Sequence, residues 1–358
     1  MNNKLTPDHS PLEVQEEPAE RVLDETLALL NLTRPNRDAR SVDFLRWKYL
    51  ENPDGEAVIW TVRSQPEGKL VGFTACMPRR MLVRGSEHLA WVGADFSIHP
   101  EFRTLGPAVK LRRQASQAIE AGRASFLFAH PNEKMAAIHA RCGHVPLGAM
   151  IQLARPLQLA SRLAQRKGGV FLKHVAGAVI DPLIRGAMRL WTPRLRSIEK
   201  LHGSVFDDRF DQLFKTHAQA FPVMGIRDAR YLNWRWSRRS GEKPRVLLDL
   251  EGGKLRGFVV FTCEHQEVRI RDLFPGHDNR VVNRLLSAVV REGLIHRVSG
   301  LRTYFLEGNP LVSLMRNRFF FDRMEPTTAY VYLPRQSPLY DDVTSCQAWF
   351  MSMADRDV

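Results

Sequence analysis

Residues 98–108 read IHPEFRTLGPA, and this stretch decides the fold of the chain. It follows an apolar run, Trp91 to Ile98, that predicts a buried strand, and it leads into a helix that starts near Val109. A strand, a turn with one glycine and a helix start together form a concave row of backbone N–H groups. The helix dipole adds partial positive charge there, so the sequence predicts a phosphate site.

Two residues of this loop suit a phosphate. Gly106 has no Cβ, so the backbone there can come close to a ligand. Pro107 suits the first turn of a helix, where its missing N–H is not needed. Short glycine loops are common and many only cap a helix, so capping alone is the alternative interpretation.

The stretch resembles the acyl-CoA pyrophosphate loop of the GNAT acyltransferase superfamily, whose pattern is apolar-x-Pro-x-x-Arg/Gln-x-x-Gly-x-Gly/Ala. The matching positions are Ile98, Pro100, Arg103, Gly106 and Ala108. The resemblance implies that acetyl-CoA or another acyl-CoA is a cosubstrate and that no metal takes part. It also implies a set of residues that contact the cosubstrate: Ile98, Arg103, Thr104, Leu105, Gly106, Pro107 and Ala108.

A second element resembles the same superfamily at the expected distance. Residues 127–130 predict a strand, Asn132 follows it, and a helix is predicted over 136–141. The sequence departs from the family pattern at two positions, where His139 stands in place of a frequent tyrosine and His144 in place of a phenylalanine. The resemblance implies that Asn132 ties this strand and helix to the pantetheine amides.

The chain contains two diverged copies of one unit. Trp47 aligns with Trp234, within matching segments 40–49 and 227–236. Three polar residues of the first copy recur at one common offset in the second: Asp95, Arg103 and Asn132 align with Asp272, Arg280 and Asn309. The second copy has no glycine at the position of Gly106, so a Cβ would crowd a pyrophosphate there.

These patterns predict an α/β (α+β) chain of two tandem GNAT-like mixed-sheet units with a helical linker. The polar, Pro/Glu-rich start of the chain predicts disorder. The predicted segments are a disordered leader over 1–20, an acyl-CoA-binding unit over 21–150, a basic amphipathic helical linker over 151–202, a degenerate unit over 203–335 and a C-terminal tail over 336–358.

The composition is that of an ordinary globular protein. The 358 residues are 44% hydrophobic and 25% charged, and no apolar run is long enough to span a bilayer. The four cysteines are scattered, with no metal-binding spacing, and no signal peptide is visible. We therefore expect a cytoplasmic protein with reduced thiols.

The positive charge is concentrated in the segment 151–202. The chain carries a net charge of +13, and this segment alone carries ten Lys and Arg residues against Asp181 and Glu199. Its apolar residues make it amphipathic, which suits an anionic surface such as the inner membrane or an acidic polymer. A helix pair with a solvated basic face is the alternative. Nucleic acid is the less favoured partner, because no basic face with interleaved aromatic residues accompanies the charge.

The resemblance also implies a chemistry. In this class the thioester lies between two parallel strands that splay apart, and the N–H of Ile98 or its neighbour polarises the thioester carbonyl. His139 is the candidate acid for the leaving thiolate, with a half-buried structural histidine as the alternative. Asp95 is the candidate base. Its counterpart Asp272 lies in the copy without a cofactor loop, which favours a structural role for both, such as pairing with an arginine.

The predicted function is an acyl-CoA-dependent acyltransferase of the N-acetyltransferase type. Its acceptor would be an amine or hydroxyl of a small molecule or carbohydrate. A role in bacterial polysaccharide metabolism follows from the tail, where Trp349-Phe350 and Asp355-x-Asp357 resemble GNAT/Fem-like proteins encoded with that machinery. A Fem-like transferase that uses aminoacyl-tRNA and a non-catalytic scaffold are the alternatives. The intact loop favours CoA as the ligand, while the positive charge of the linker is compatible with tRNA.

Overall fold

One mixed sheet runs through both halves of the chain. In this computed structural model the described residues are 13–34, 41–158, 196–201, 205–237, 243–276 and 278–357, and within them the sheet has 14 strands. Parallel and antiparallel strand pairs both occur, and helices lie between the strands along the chain. The predicted α/β class with a mixed sheet is confirmed.

The first half of the chain supplies six strands and four helices. Ser41 and Asn132 each accept a backbone N–H at the start of a helix, which satisfies a donor that the helix itself leaves free. The elements are β1 Val14–Glu17, α1 Ala19–Thr33, α2 Val42–Tyr49, β2 Val58–Arg63, β3 Leu70–Val83, β4 Ser86–Ile98, α3 Leu105–Glu120, β5 Phe126–Ala129, α4 Glu133–Arg141 and β6 Val145–Pro156.

The second half supplies the other strands and helices. Asp207 and Asp278 cap two of its helices in the same way as Ser41 caps α2. The elements are β7 Ile198–Lys200, α5 Asp208–Thr216, β8 Val223–Gly225, α6 Ala229–Ser237, β9 Arg245–Glu251, β10 Lys254–Glu264, β11 Glu267–Phe274, α7 Asn279–Ile295, β12 Gly300–Leu306, α8 Leu311–Arg316, β13 Phe321–Tyr332, α9 Tyr340–Thr344 and β14 Trp349–Phe350.

The order of elements from β2 to β6 recurs from β9 to β13. Each run has three consecutive antiparallel strands, a long helix, a strand, a shorter helix and a last strand. The last strands are exchanged, since β13 pairs with β5 while β6 pairs with β12. The middle of the sheet therefore reads β5-β13-β6-β12, and each half completes the sheet of the other.

The aligned tryptophans meet in the core between the two halves. The rings of Trp47 and Trp234 stack with centroids 5.1 Å apart. Trp47 Nε1 donates to the carbonyl of Trp234 at 3.1 Å, and Trp234 Nε1 donates to the carbonyl of Trp47 at 3.0 Å. Reciprocal bonds of this kind require that the two segments be related by a local two-fold arrangement.

The first half has helices on both faces of its sheet. Phe126 and Phe128 of β5 pack into the core that α1 and α2 cover, whereas Leu127 and Ala129 pack into the core under α3. Side chains alternate between faces along a strand, so these two cores lie on opposite faces. The loop that starts α3 and the residues of α2 therefore approach β4 from different sides.

Two predicted boundaries are corrected by the structure, that of the leader and that of the linker. The leader does not extend to residue 20, because Val14–Glu17 form β1 against β2 and α1 begins at Ala19. Ion pairs such as that of Glu17 with Arg63 hold this polar segment to the sheet edge, which its composition alone does not reveal. In the predicted C-terminal tail, Trp349 and its neighbours are buried in the core.

The predicted helical linker over 151–202 lies mostly outside the described residues. Residues 151–156 form the end of β6, because they pair with β12 and β13 on both sides, and residues 198–200 form β7. Residues 159–195 and 202–204 are not described, so the predicted contact of this segment with an anionic surface stays a prediction. No helix of the described part is long and apolar enough to cross a membrane.

Candidate functional site

Two parallel strands part beside the loop that the sequence singles out. β4 pairs with β5 only from Ala90 to Gly93, and β4 then continues to Ile98 with β3 on its other edge. We call the opening between residues 94–98 of β4 and the end of β5 the first fork. The pairing of β4 with β3 shifts register opposite residues 94–95, which is a β-bulge at the mouth of the fork.

Gly93 is the vertex of the first fork. A Cβ at this position would lie 2.9 Å from the Cβ of Ala129 and 3.4 Å from Nη1 of Arg112. The first of these distances is closer than two carbon atoms can come, so only glycine fits between β5 and α3. The vertex is therefore crowded, while the edge beyond it opens.

The open edge of β4 presents backbone N–H groups. The N–H of His99 donates to the carbonyl of Val71 on β3 at 2.8 Å, so the alternate residues Phe96 and Ile98 face the other way. Arg34 donates to the carbonyl of Phe96 at 2.7 Å, and Arg103 donates to the carbonyl of Ile98 at 3.2 Å. Neither carbonyl is therefore turned toward β3. The structure thus places the predicted N–H of Ile98 on the fork, with that of Phe96 beside it.

The start of α3 has no side-chain cap. The residue at the N-cap position, Thr104, accepts no backbone N–H through its side chain, and the first turn has no acidic residue. Pro107 lies in that turn, as predicted. A Cβ on Gly106 would meet nothing within 4 Å, and Gly106 does not adopt a left-handed conformation. Neither packing nor backbone strain requires glycine at this position. The space that a side chain would occupy there lies on the outside of the protein.

A buried cluster of polar side chains lies under α3. His139 Nδ1 is 3.1 Å from His144 Nδ1, and His144 Nε2 is 3.3 Å from the hydroxyl of Ser116. Burial, and then the charge of Arg112, lowers the pKa of His139 well below its ordinary value and that of His144 to about 2. Both rings are neutral at neutral pH.

A neutral ring changes the chemistry open to His139. A neutral imidazole has one N–H to donate and one lone pair to accept a proton, but it lacks the acidic proton of an imidazolium. In this state His139 suits a relay or a hydrogen-bonding role more than the predicted acid role. Its part in catalysis stays a prediction.

Asp95 is a fully paired carboxylate on the opposite face. Its Oδ2 accepts from Lys48 Nζ at 2.7 Å and from the hydroxyl of Tyr49 at 2.8 Å, while Arg34 donates to Oδ1 at 3.0 Å. The side chains of Asp95 and Lys48 are 1% and 0% exposed. These contacts are those of the structural alternative, and the use of Asp95 as a base stays a prediction.

The second half has a corresponding fork, which the chain itself fills. β11 pairs with β12 only over Glu267–Arg269, and the strands then part. The carbonyl of Met351 accepts from the N–H of Leu306 and from Nδ2 of Asn309, both at 3.2 Å. Ser352 bridges to Phe305 of β12. The opening between residues 270–274 and 303–306, the second fork, is therefore occupied by residues 351–352.

Asp272 shows how the second fork is fixed. It accepts from Arg227 Nε and from the hydroxyl of Ser352, each at 3.0 Å, and Arg227 also binds Asp355 at 2.6 Å. Burial raises the pKa of Asp272. The expected pairing of Asp272 with an arginine is present, and here it anchors the C-terminal segment.

No protein-family model matches the sequence, and no curated protein matches it. Solved structures do. They include a probable N-acyltransferase from Enterococcus faecalis V583 (TM-score 0.63, 12% identity, 90% of this chain and 73% of that one). A GCN5-related N-acetyltransferase from Anabaena variabilis ATCC 29413 matches with a TM-score of 0.63, 14% identity and the same coverage. N-myristoyltransferase of Saccharomyces cerevisiae with bound myristoyl-CoA matches with a TM-score of 0.61 and 14% identity over 94% and 83% of the two chains.

The chain has the GNAT fold.

Within this GNAT fold the predicted cosubstrate residues come together around one opening. The residues of the loop lie between the end of β4 and the first turn of α3, and Asn132 lies at the start of α4, next to the end of β5. The Oδ1 of Asn132 accepts the N–H of Met135 at 3.0 Å, so its first role is to cap α4. His139 and Asp95 lie on opposite faces of the sheet and do not meet.

Sequence reasoning missed three residues of this candidate site. Gly93 interrupts an apolar strand run, which is a signal of close backbone approach. Arg112 lies four residues after Ala108 and falls on the apolar stripe of α3, where a charged residue is unusual. Lys48 is buried on α2 and gave no signal, since its partner Asp95 is distant in the sequence.

Proposed function

We propose that the chain is an acyl-CoA-dependent acyltransferase and that the first fork binds the acyl-CoA. The observation that carries this proposal is the juxtaposition of an open β4 edge with the uncapped start of α3. One element supplies N–H groups for an extended amide chain, and the other supplies N–H groups and a dipole for a pyrophosphate. An acyl-CoA carries both groups in that order.

Different residues bind different parts of the acyl-CoA. The pyrophosphate lies at Thr104–Pro107, where Gly106 lets it approach the backbone. The pantetheine arm follows β4 toward Gly93, a path of about 17 Å at roughly 3.3 Å per residue. The N–H of Phe96 or Ile98 donates to the thioester carbonyl and stabilises the oxyanion that forms when the acceptor attacks. The carbon–sulfur bond then breaks, and the thiolate leaves.

The second fork supports the role of Asn132. Its counterpart Asn309 lies one residue before the N-cap Pro310 of α8, where its Oδ1 accepts the N–H of Leu311 at 2.9 Å and its Nδ2 binds the carbonyl of Met351. The side chain of Asn132 is exposed, and its Oδ1 accepts the N–H of Met135 at the start of α4. Its amide N–H is therefore suited to a pantetheine carbonyl in the first fork, as Asn309 is to a peptide carbonyl in the second.

The donor that the family resemblance implies is acetyl-CoA or another acyl-CoA. The acceptor is an amine or hydroxyl of a small molecule or a carbohydrate, and we expect the reaction to take place in the cytoplasm. A Fem-like reaction with aminoacyl-tRNA is the alternative. The uncapped start of α3 with Gly106 favours CoA over tRNA, because a free helix start and a close backbone approach suit a compact pyrophosphate.

The test is calorimetric titration of the full chain with CoA and acetyl-CoA. We expect one site per chain, because residues 351–352 already fill the second fork. Gly106→Val is expected to weaken binding at least tenfold with an unchanged circular dichroism spectrum, since the new side chain meets no protein atom. Asn283→Val, at the aligned exposed position of α7, is the matched control and keeps full affinity.

Two outcomes contradict the proposal. The wild-type chain failing to bind any CoA species would reject it, and binding of aminoacyl-tRNA in that case would favour the Fem-like alternative. Unchanged affinity in a folded Gly106→Val variant would remove the pyrophosphate from this loop.

A further inference from the structure

The guanidinium of Arg112 lies at the vertex of the first fork. Arg112 is 1% exposed and points from α3 to the sheet, where its Nη2 donates to the hydroxyl of Thr74 at 2.9 Å. Its Nη1 comes within 3.4 Å of the position that a Cβ on Gly93 would take. The charge is therefore placed where β4 and β5 begin to part.

This charge has no counter-ion within the described part of the chain. Nε and Nη1 of Arg112 have no hydrogen-bond acceptor there, and none of the ion pairs found within 4.0 Å includes Arg112. Two other buried guanidinia, those of Arg79 and Arg227, each contact two carboxylates, whereas Arg235 makes no ion pair among the described residues and donates to the carbonyl of Arg356. A buried charge without a partner is costly, so its retention points to a partner from outside the chain.

The titratable groups around Arg112 do not supply a negative charge. The two histidines of the buried cluster, His139 and His144, are neutral for the reasons given above. Burial raises the pKa of the Cys76 thiol to about 11, so this thiol is neutral as well. Arg112 thus provides a positive, incompletely bonded floor beneath the vertex of the fork, where its Nε and Nη1 are covered by the protein.

The far end of a bound acyl-CoA reaches this floor. With the pyrophosphate at Gly106, the arm follows the N–H groups of Ile98 and Phe96 toward the vertex. Gly106 and Arg112 are separated by about 9 Å along α3, at 1.5 Å per residue, and the arginine side chain extends further toward the sheet. The acyl group is the part of the ligand that arrives beside Nη1.

We propose that Arg112 binds an anionic group at the end of the acyl chain, so that the donor is a dicarboxylic acyl-CoA such as malonyl-CoA or succinyl-CoA. In such a donor one carboxyl forms the thioester and the other stays free as a carboxylate. A guanidinium is the side chain best suited to receive a carboxylate in a buried place. The assignment rests on the proposed acyl-CoA function and sharpens its substrate class.

The experiment compares ligands of equal carbon number by calorimetry on the full chain. Malonyl-CoA is paired with propionyl-CoA and succinyl-CoA with butyryl-CoA, and free CoA serves as the reference. We expect the charged member of at least one pair to bind roughly tenfold tighter or more, the effect of one added charge-assisted hydrogen bond. Arg112→Met is expected to abolish this ratio of affinities between the charged and the uncharged ester while keeping the affinity for free CoA. Arg113→Met, an exposed neighbour on α3, is the matched control and keeps the ratio.

The outcomes separate the two proposals. If free CoA and all four esters fail to bind, the proposed function is wrong. If CoA binds but the wild-type chain shows equal affinity within both pairs, the function stands and the inference is overturned. A ratio that survives in Arg112→Met assigns the recognition to another residue and also overturns it. The wild-type comparison decides even where the variant does not fold, and Arg112→Lys, which keeps the charge, is expected to retain part of the ratio.

Discussion

Removal of Lys48 tests whether Asp95 serves the structure. Lys48 Nζ lies 2.7 Å from Asp95 Oδ2, with both side chains almost fully buried. In Lys48→Met the carboxylate stays buried and keeps only the hydroxyl of Tyr49 and the guanidinium of Arg34 from the contacts described above. The methionine fills the space of the lysine stem, so the change is chiefly the loss of a charge.

The expected cost follows from this partial compensation. Breaking a buried ion pair from one side typically costs about 3–5 kcal/mol. Arg34 remains within 3.0 Å and is 27% exposed, so we place Lys48→Met at the lower end, about 3 kcal/mol. Asp95→Asn removes the nearest carboxylate of the buried lysine and leaves that of Asp357 at 3.9 Å from Nζ, so it is expected to cost about as much. The double variant removes both charges, so its cost is expected to fall short of the sum by about 2 kcal/mol.

The assay is urea unfolding followed by tryptophan fluorescence. Arg46→Met, in a half-exposed pair with Glu20 on α1, is the control and is expected to change the free energy of unfolding by less than about 1 kcal/mol. A purely additive double variant, or an Asp95→Asn variant as stable as wild type, would refute the structural role. That result would favour the interpretation of Asp95 as a catalytic base.

Two further predictions concern buried groups. The pKa of His144, about 2 in the folded chain because of burial and Arg112, lies below its unfolded value of about 6.5. Its contribution to stability is therefore complete above pH 6.5 and is lost as the pH falls, by up to about 1.4 kcal/mol per pH unit. His144→Asn should flatten this slope in unfolding measured at pH 7, 6 and 5, and an unchanged slope would contradict the pKa. Trp47→Ala and Trp234→Ala should each cost about 3–5 kcal/mol, and the double variant clearly less than the sum, because each single change already removes the stacking of the two rings. Additive costs would show that the two tryptophans are not coupled.

Local signals in the sequence predicted the strand and the turn, but α3 begins at Leu105, four residues before the predicted start near Val109. Gly106 and Pro107 lie in the first turn of α3, and Ile98 ends the strand that precedes them. These features depend on neighbours within about ten residues, where backbone preferences and helix capping act. The alignment of Trp47 with Trp234 was also visible, and the two rings are in contact.

Contacts between distant segments could not be read from the sequence. The exchange of β6 and β13 depends on pairing across the sheet, and no pattern within either strand specifies its neighbour. The ordered β1 depends on partners such as Arg63, although its composition is that of a disordered segment. The burial of Arg112 and Lys48 could not be inferred either, because charged residues are normally exposed unless a distant partner receives them.

The two forks differ in what satisfies their backbone groups, and this difference carries the functional conclusion. Buried N–H and C=O groups must be paired, whether by the protein or by a ligand. In the second fork the carbonyl of Met351 and the bridge at Ser352 complete the strand edge, so that half needs no ligand. In the first fork no described strand pairs with β4 beyond Gly93 on that edge, and arginine side chains reach only the carbonyls of Phe96 and Ile98. We propose that the matching N–H groups bind an extended molecule with amide carbonyls. The peptide in the second fork pairs with β12, the counterpart of β5, and shows that an opening of this kind can hold an extended chain.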